Sequence, residues 1–342
     1  MQSISMAKQL AWAVTAKKIP NFHAARSAVQ HFYSGSRAIS DPLIIKQLKD
    51  LPHISQMIYD YDVIAKFETS FAPWLQKNQW NTVVGLENFE PDLSQGATQS
   101  FDSFYIKHAN KKWKMFYGEY FYHTLMAVNL KHDWSFISEY SQLEFGDALM
   151  LSVPFCDTGS GIPDLDQILL HCDHHGIPVL LDCAYYTIAK NIFVDLNHPC
   201  VETVAFSLSK TFPVAHARVG VRYTRPTHKD GQKLHSTINY DNRVSAAIGL
   251  AMIDNFSSDW IVNKYQTAYN RLTNLLNLTP GDSIMFADGD DSWQEYSRKQ
   301  LLETYQLKLD YRLFKNRICL TQLLENLPVV TQCLEDIYEI TF

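Results

Sequence analysis

Phe206-Ser207-Leu208-Ser209-Lys210-Thr211-Phe212, running on to Ala217-Arg218-Val219-Gly220, is the stretch on which the reading of this chain turns. An apolar run ends in two hydroxyls and a lysine, and an arginine follows eight positions after the lysine. Upstream, Val179-Leu180-Leu181 ends in Asp182, with Cys183, Ala184 and Tyr185 behind it. Apolar runs of strand length recur at 148–153, 179–181, 201–206 and 219–223. Pro163 to His175 has helical spacing instead, with Leu165, Ile168, Leu169 and Cys172 on one face and Gly176 in the place of a C-cap glycine. Strands apolar on both faces and separated by a helix predict βαβ units, hence an α/β sheet covered on both sides. Ligands bind such sheets beyond the carboxyl ends of the strands. Asp182 and Ser207 each fall at such an end and are expected to share one site.

Outward from this centre the pattern is less regular. Asp41 to Gln76 reads as mostly helical, with Ile44, Leu48 and Leu51 on one face and Ile64, Phe67 and Phe71 on another. Val83 to Leu86 is a short strand, and Gly96-Ala97-Thr98 opens a helix in which Phe101, Phe104 and Tyr105 recur at three- and four-residue spacing. Beyond Ser236, Val244, Ala247, Ile248 and Ala251 mark one helix. A second follows Ser258-Asp259, with Ile261, Tyr265, Ala268, Leu272 and Leu275 on its stripe. Thr279-Pro280-Gly281-Asp282 breaks the pattern. The last sixty or so residues mix helices with short strands such as Arg317 to Leu320 and suit a small α+β lobe. Pro20 to Ser40 reads as loop.

The chain has 342 residues, 46% hydrophobic and 19% charged, with a formal net charge of −6. Mild acidity without a basic cluster argues against nucleic acid, and no apolar run approaches the roughly 20 residues that span a bilayer. Six cysteines lie without CxxC spacing, which fits reduced thiols in a cytoplasmic protein. The first forty residues hold five basic side chains and no acid. A transit peptide has this character, but a short helix from Met6 to Lys18 packed on the body is the preferred expectation.

Lysine is protonated and a poor nucleophile at neutral pH, so covalent work requires a lowered pKa or a carbonyl partner. A lone lysine after a strand would simply be solvated. Its neighbours change that reading. Asp182 suits a pyridinium nitrogen, keeping the ring protonated so that it accepts electrons. Tyr185 suits a phenolate oxygen on the same ring. Ser207, Ser209 and Arg218 suit a phosphate, and Gly96, Ala97 and Thr98 add backbone N–H groups at a helix N-terminus. Together these parts describe a cradle for pyridoxal phosphate, with Lys210 as its Schiff-base lysine.

Asp182-x-Ala184-Tyr185, Ser207-x-Ser209-Lys210 and Arg218-x-Gly220 resemble the core of the fold-type I pyridoxal-phosphate enzymes, the class I/II aminotransferases. Gly96-Ala97-Thr98-Gln99 is similar to that family's phosphate-cup turn, and Gly176 to Asp182 to the strand that delivers its aspartate. Tyr120 and Phe121 lie where the family stacks an aromatic ring on the pyridine. Asn316-Arg317-Ile318-Cys319-Leu320 resembles the strand whose arginine grips the substrate carboxylate. One position departs. Where the family has Asn-Pro-Thr-Gly, this chain has Cys156-Asp157-Thr158-Gly159, and a thiol is a weaker donor than an amide.

The resemblance implies a large α/β domain with a mixed, mostly parallel sheet over residues 66–250, and a small domain built from 1–65 and 251–342. It implies a homodimer in which Tyr59 or Tyr61 reaches the partner's phosphate site. It also implies transamination between an amino acid and a 2-oxo acid, with Lys210 as base and Arg317 holding the carboxylate. A lyase or other non-transaminating enzyme would need the same cradle. A binding protein without turnover would have no need of Asp182, Tyr185, Lys210 and Arg218 together. Ser207-x-x-Lys210 also fits the S-x-x-K of penicillin-recognising enzymes, but the K-T-G that accompanies it is missing. His171-Cys172-Asp173-His174-His175 is too consecutive on a helix to converge on a metal. Asp288 to Ser292 resembles a calcium loop, yet Lys299 stands where the twelfth-position glutamate belongs. No metal is expected.

Overall fold

The computed structural model describes residues 37–290 and 316–325. The expected Met6–Lys18 helix and most of the Pro20–Ser40 loop lie outside the described residues, as does the chain from 291 that would continue the calcium-like loop. Twelve strands are described: β1 (Thr82–Val84), β2 (Glu90–Gln95), β3 (Lys112–Phe116), β4 (Trp134–Ile137), β5 (Asp147–Ser152), β6 (Val179–Asp182), β7 (Phe193–Asp195), β8 (Val201–Ser207), β9 (Val219–Thr224), β10 (Thr279–Pro280), β11 (Phe286–Gly289) and β12 (Asn316–Cys319). Seven of them form the main sheet in the order β2-β9-β8-β6-β5-β3-β4. From β8 to β4 the pairs are parallel, and β9 and β2 complete the edge antiparallel. The small sheet β10-β11-β12 is antiparallel and β1 pairs with β7.

The apolar runs explain why the centre of this sheet forms. β5, β6 and β9 are buried at every position. Alternate side chains serve opposite faces. Leu149, Leu151, Val179, Leu181, Val204 and Phe206 join the main core, whereas Ala148, Met150, Leu180 and Ala205 pack with Phe101, Phe104 and Tyr105 of the helix Ala97–Lys107. The helix Leu165–His175 ends at Gly176, which adopts the expected left-handed conformation. The segment expected to be mostly helical before Gln76 is three helices, Pro42–Lys49, Ile54–Tyr59 and Val63–Gln76. Asp259 does precede the helix Trp260–Leu275, but its carboxylate accepts from Ser257 and the Gln79 N–H rather than capping the helix.

Strands β2, β3 and β4 were not expected, and each hides its pattern. β2 carries Pro91, which an edge strand tolerates because its outer N–H row is unpaired. β3 alternates lysines with buried Trp113 and Met115, and β4 is a four-residue edge. The limits expected for the large domain, 66 and 250, fall inside the helices Val63–Gln76 and Arg243–Asn255. These two helices pack on one another and share the main core. Phe71 of the first carries the contact to the sheet, its ring 5.8 Å from that of Phe206 in β8.

Gly249 lets the helices approach. A β-carbon there would stand 2.6 Å from Phe67 and 2.8 Å from Val219. Gly249→Ala is therefore expected to lower stability by about 1–3 kcal/mol through overpacking. Urea unfolding should show a lower midpoint with an unchanged slope.

Candidate functional site

Parallel register brings three polar strand ends together. Ser152 ends β5 opposite Asp182, which ends β6 opposite Ala205, and β8 ends two residues on at Ser207. Beyond these ends lies a cavity of about 150 Å³. Its lining includes Ala97, Thr98, Tyr120, Cys156, Asp182, Tyr185, Ser207, Ser209, Lys210 and Arg218, all named from the sequence. Phe101, Ser152, Ala184 and Ala215 also line it and were missed. Ser152 had a signal, since it ends an apolar strand just as Asp182 and Ser207 do.

Phe121 is not among the lining side chains. Tyr120 precedes the helix Phe121–Asn129 and its ring enters the cavity, while Phe121 begins the helix proper. Gly96 and Arg317 adjoin the cavity without lining it. Arg317 is 3% exposed, lies over the ring of Phe286 at 4.5 Å, and donates to the carbonyl oxygen of Cys156. It is near enough to Lys210 for its charge to act on the amine.

One end of the cavity is built for an anion. The helix Ala97–Lys107 begins at Gly96 with no side chain capping its first N–H groups, and its first residues, Ala97 and Thr98, line the cavity. Arg218 donates to Thr98 Oγ1 at 3.0 Å and to the Gln95 carbonyl at 3.1 Å. Ser207 Oγ and Ser209 Oγ stand 2.8 Å apart. A β-carbon on Gly96, at φ +69°, would come within 2.4 Å of the Arg218 guanidinium. Only glycine permits that approach in that conformation.

The other end holds a carboxylate with an amine nearby. Asp182 is 7% exposed and accepts one backbone hydrogen bond, from Ala184 N–H at 3.0 Å. Burial pushes its carboxyl up to about 7, and the charge of Glu119 adds to the push. Burial also holds the Lys210 amine below its ordinary range, with the Arg317 charge acting in the same direction. The Lys210 amine lies 6.0 Å from the centre of the Tyr185 ring. Both ionisable groups are thus driven toward neutrality, which favours an amine ready to attack a carbonyl. Glu119 lies just behind the cavity wall, 1% exposed. No sequence signal marked it.

The rejected alternatives have structural partners of their own. His171 Nε2 donates to the Leu143 carbonyl, and the rings of His171 and His175 stack at 4.1 Å. Asp173 pairs with His198 at 2.6 Å. Asp288 sits in β11 opposite Arg317. Among the described residues no three His, Cys, Asp or Glu side chains are grouped to hold a metal, and no helix is long and apolar enough to cross a membrane.

No family model and no curated protein matches the chain. Solved structures do. An aspartate aminotransferase mutant from Thermus thermophilus superposes with a TM-score of 0.62 at 13% identity, covering 100% of both chains. The N-succinyldiaminopimelate aminotransferase of Mycobacterium tuberculosis gives 0.64 at 12% identity, covering 99% of this chain and 100% of its own. The chain has the aspartate aminotransferase-like fold. A pyridoxal-phosphate-bound C-S lyase from Staphylococcus hominis shares that fold, with a TM-score of 0.61 at 11% identity and coverage of 89% and 90%. The aspartate aminotransferase-like fold therefore carries more than one reaction among its neighbours. Here it joins its two ends, the anion cradle and the Asp182 carboxylate, in one cavity.

The raised carboxyl of Asp182 gives a pH signature in the protein alone. Unfolded, this group ionises near its ordinary value of about 4; folded, it holds its proton to about 7. Between these values the native state binds more protons, so Asp182 costs stability increasingly as pH rises, and the cost levels above the folded value. Asp182→Asn is expected to raise the Tm of the cofactor-free protein more at pH 8 than at pH 5. Equal gains at both would contradict the shift.

Proposed function

We propose that this protein is a pyridoxal-phosphate-dependent enzyme, an aminotransferase acting on an amino acid and a 2-oxo acid. The observation that carries this reading is the half-buried Lys210 sharing one cavity with the buried Asp182 carboxylate and the anion cradle. The residues fit the cofactor. Asp182, with its single backbone donor, suits a ring N–H cation, whose charge would restore the carboxylate's ionisation. Thr98, Ser207, Ser209, Arg218 and the N–H groups after Gly96 suit a phosphate dianion. Tyr120 supplies an aromatic face and Tyr185 a hydroxyl. Bound there, pyridoxal phosphate would supply an aldehyde that condenses with amines and a ring that accepts electrons from the substrate's α-carbon.

The protein's own groups would do the rest. Lys210 would hold the cofactor's aldehyde carbon and, once displaced by the substrate amine, would serve as a free amine, held below its ordinary pKa, that takes the α-proton. The same amine would carry that proton for return, and water would supply the ketone oxygen of the released 2-oxo acid while the cofactor would retain the amino group. Arg317 holds the substrate carboxylate in a forked pair, with Phe286 fixing its guanidinium plane. Asp182 would hold a protonated ring nitrogen as its counter-ion.

The working unit of this reading is a homodimer in the cytoplasm. Tyr59 and Tyr61 are 70% and 62% exposed, and Ile54, Ile58, Leu234, Ile238 and Tyr240 are exposed as well. That is the kind of apolar surface a partner subunit would cover. Tyr61 already lies 4.2 Å under the Arg243 guanidinium, which leaves Tyr59 the freer of the two to reach across. The five described cysteines are buried, and the spacing without CxxC is in keeping with a reducing compartment.

Cys156 favours a second reading, a pyridoxal-phosphate lyase. It lines the cavity where the resembling family has an asparagine, and a weaker donor to the cofactor's phenolate oxygen changes which proton transfers are fastest.

Purified protein mixed with pyridoxal phosphate is expected to develop a visible absorbance band that Lys210→Ala abolishes, together with activity to below about one part in a thousand. A band that survives unchanged in Lys210→Ala would refute the central assignment. Turnover that requires a 2-oxo acid, with ping-pong kinetics, supports transamination. Release of ammonia and pyruvate without an acceptor supports the lyase.

A further inference from the structure

Glu119 is a buried acid that neither the cradle nor the proton transfers use, yet two lining residues bond it directly and a third is tied to it through one of them. Its Oε1 accepts from the Tyr120 N–H at 2.7 Å and from the Ser152 hydroxyl at 2.6 Å, and its Oε2 accepts from the Ser152 N–H at 2.8 Å. Ser152 Oγ accepts in turn from the Cys156 N–H at 2.7 Å. One carboxylate therefore ties the residue before the helix Phe121–Asn129, the end of β5 and the turn after it. Tyr120, Ser152 and Cys156 all line the cavity.

This link is expensive. Burying a carboxylate costs several kcal/mol unless hydrogen bonds compensate, and the charges of Asp157 and Asp182 lie close enough to oppose it. An apolar side chain of similar volume would serve general stability at least as well. A carboxylate does what an apolar group does not: it accepts all three donors and fixes the segments relative to one another.

We propose that Glu119 is a positioning residue, holding Tyr120, Ser152 and Cys156 as one wall of the cavity. The wall presents an aromatic face on one side and the Cys156 turn on the other, with Arg317 tied to the same turn through the Cys156 carbonyl. Only the cofactor arm of the test rests on the proposed function.

The test compares Glu119→Ala, Glu119→Gln and Ser152→Ala with the parent protein. In the cofactor-free proteins, alkylation of Cys156 by iodoacetamide is followed by peptide mass spectrometry, with buried Cys172 and Cys200 as internal controls. Glu119→Ala is expected to speed labelling of Cys156 roughly tenfold with both controls unchanged, the loss of hydrogen bonds to a charged group. Glu119→Gln should recover most of this, because one amide oxygen can accept the two bonds that Oε1 accepts now. Ser152→Ala, which cuts the link without touching the acid, should resemble Glu119→Ala. Titration with pyridoxal phosphate should show a weaker Kd in Glu119→Ala and a smaller visible circular dichroism per bound cofactor.

Parent-like labelling of Cys156 in Glu119→Ala would overturn the proposal. So would equal labelling of all three thiols, which would reduce Glu119 to general stability, or faster Cys156 labelling with an unchanged Kd. If the parent takes up no pyridoxal phosphate, the proposed function fails, and the labelling series still decides the role of Glu119.

Discussion

Burial of β5, β6 and β8 between two apolar layers confines polar chemistry to the ends of these strands. An ionisable group in mid-strand would face Leu149, Leu181 or Phe206 on one side, or Met150, Leu180 or Ala205 on the other, with no water to solvate it. At the carboxyl ends this prohibition relaxes, and there the parallel register sets Ser152 level with Asp182, with Ser207 two residues beyond on β8. Lys210 arrives because the chain leaving β8 turns across the same edge before returning as β9. The convergence of amine and carboxylate is thus a consequence of strand register before it is anything else.

The anion cradle has a different origin, in the antiparallel edge. Gln95 ends β2 directly opposite Val219, which starts β9, so Gly96 and Arg218 emerge side by side. The Gly96 N–H donates to the Arg218 carbonyl at 3.0 Å. Further along the same pair, the fully buried Arg222 of β9 bonds Asp92 of β2 and Asp230 of the loop beyond. A buried ion pair of this kind is poor evidence for stability but strong on geometry, since slipping the register would strand its charges. The approach of Gly96 to Arg218 beside the cavity therefore depends on an ion pair remote from it.

Most of this was legible in the sequence for a physical reason. Runs apolar on both faces identify central strands, and the placement rule for α/β sheets then selects Asp182, Ser207 and Lys210 without knowledge of the tertiary structure. Edge elements were not legible. Pro91 disguises β2, and the lysines of β3 make a half-buried strand look like surface. Tyr120 and Phe121 could not be separated by spacing, because which ring enters the cavity depends on where the helix begins. Glu119 left no trace, since a buried carboxylate in a loop is indistinguishable in sequence from a solvated one. Its burial emerges only when β5 is laid beside the segment after β3.

The same geometry bears on the departure at Cys156. An asparagine side chain there would bring its own donor to the cavity, and its position would be set by its own rotamer. A cysteine brings a smaller, weaker group, and the chain instead fixes the backbone of that turn from both directions. The Cys156 N–H is held by Ser152, and its carbonyl by Arg317. The turn thereby couples the carboxylate side of the cavity to the guanidinium proposed for the substrate. A change at residue 156 would be felt through Arg317 as well as through the donor it replaces. Replacing Cys156 with asparagine would therefore act on Arg317 through the turn as well as on the cavity lining.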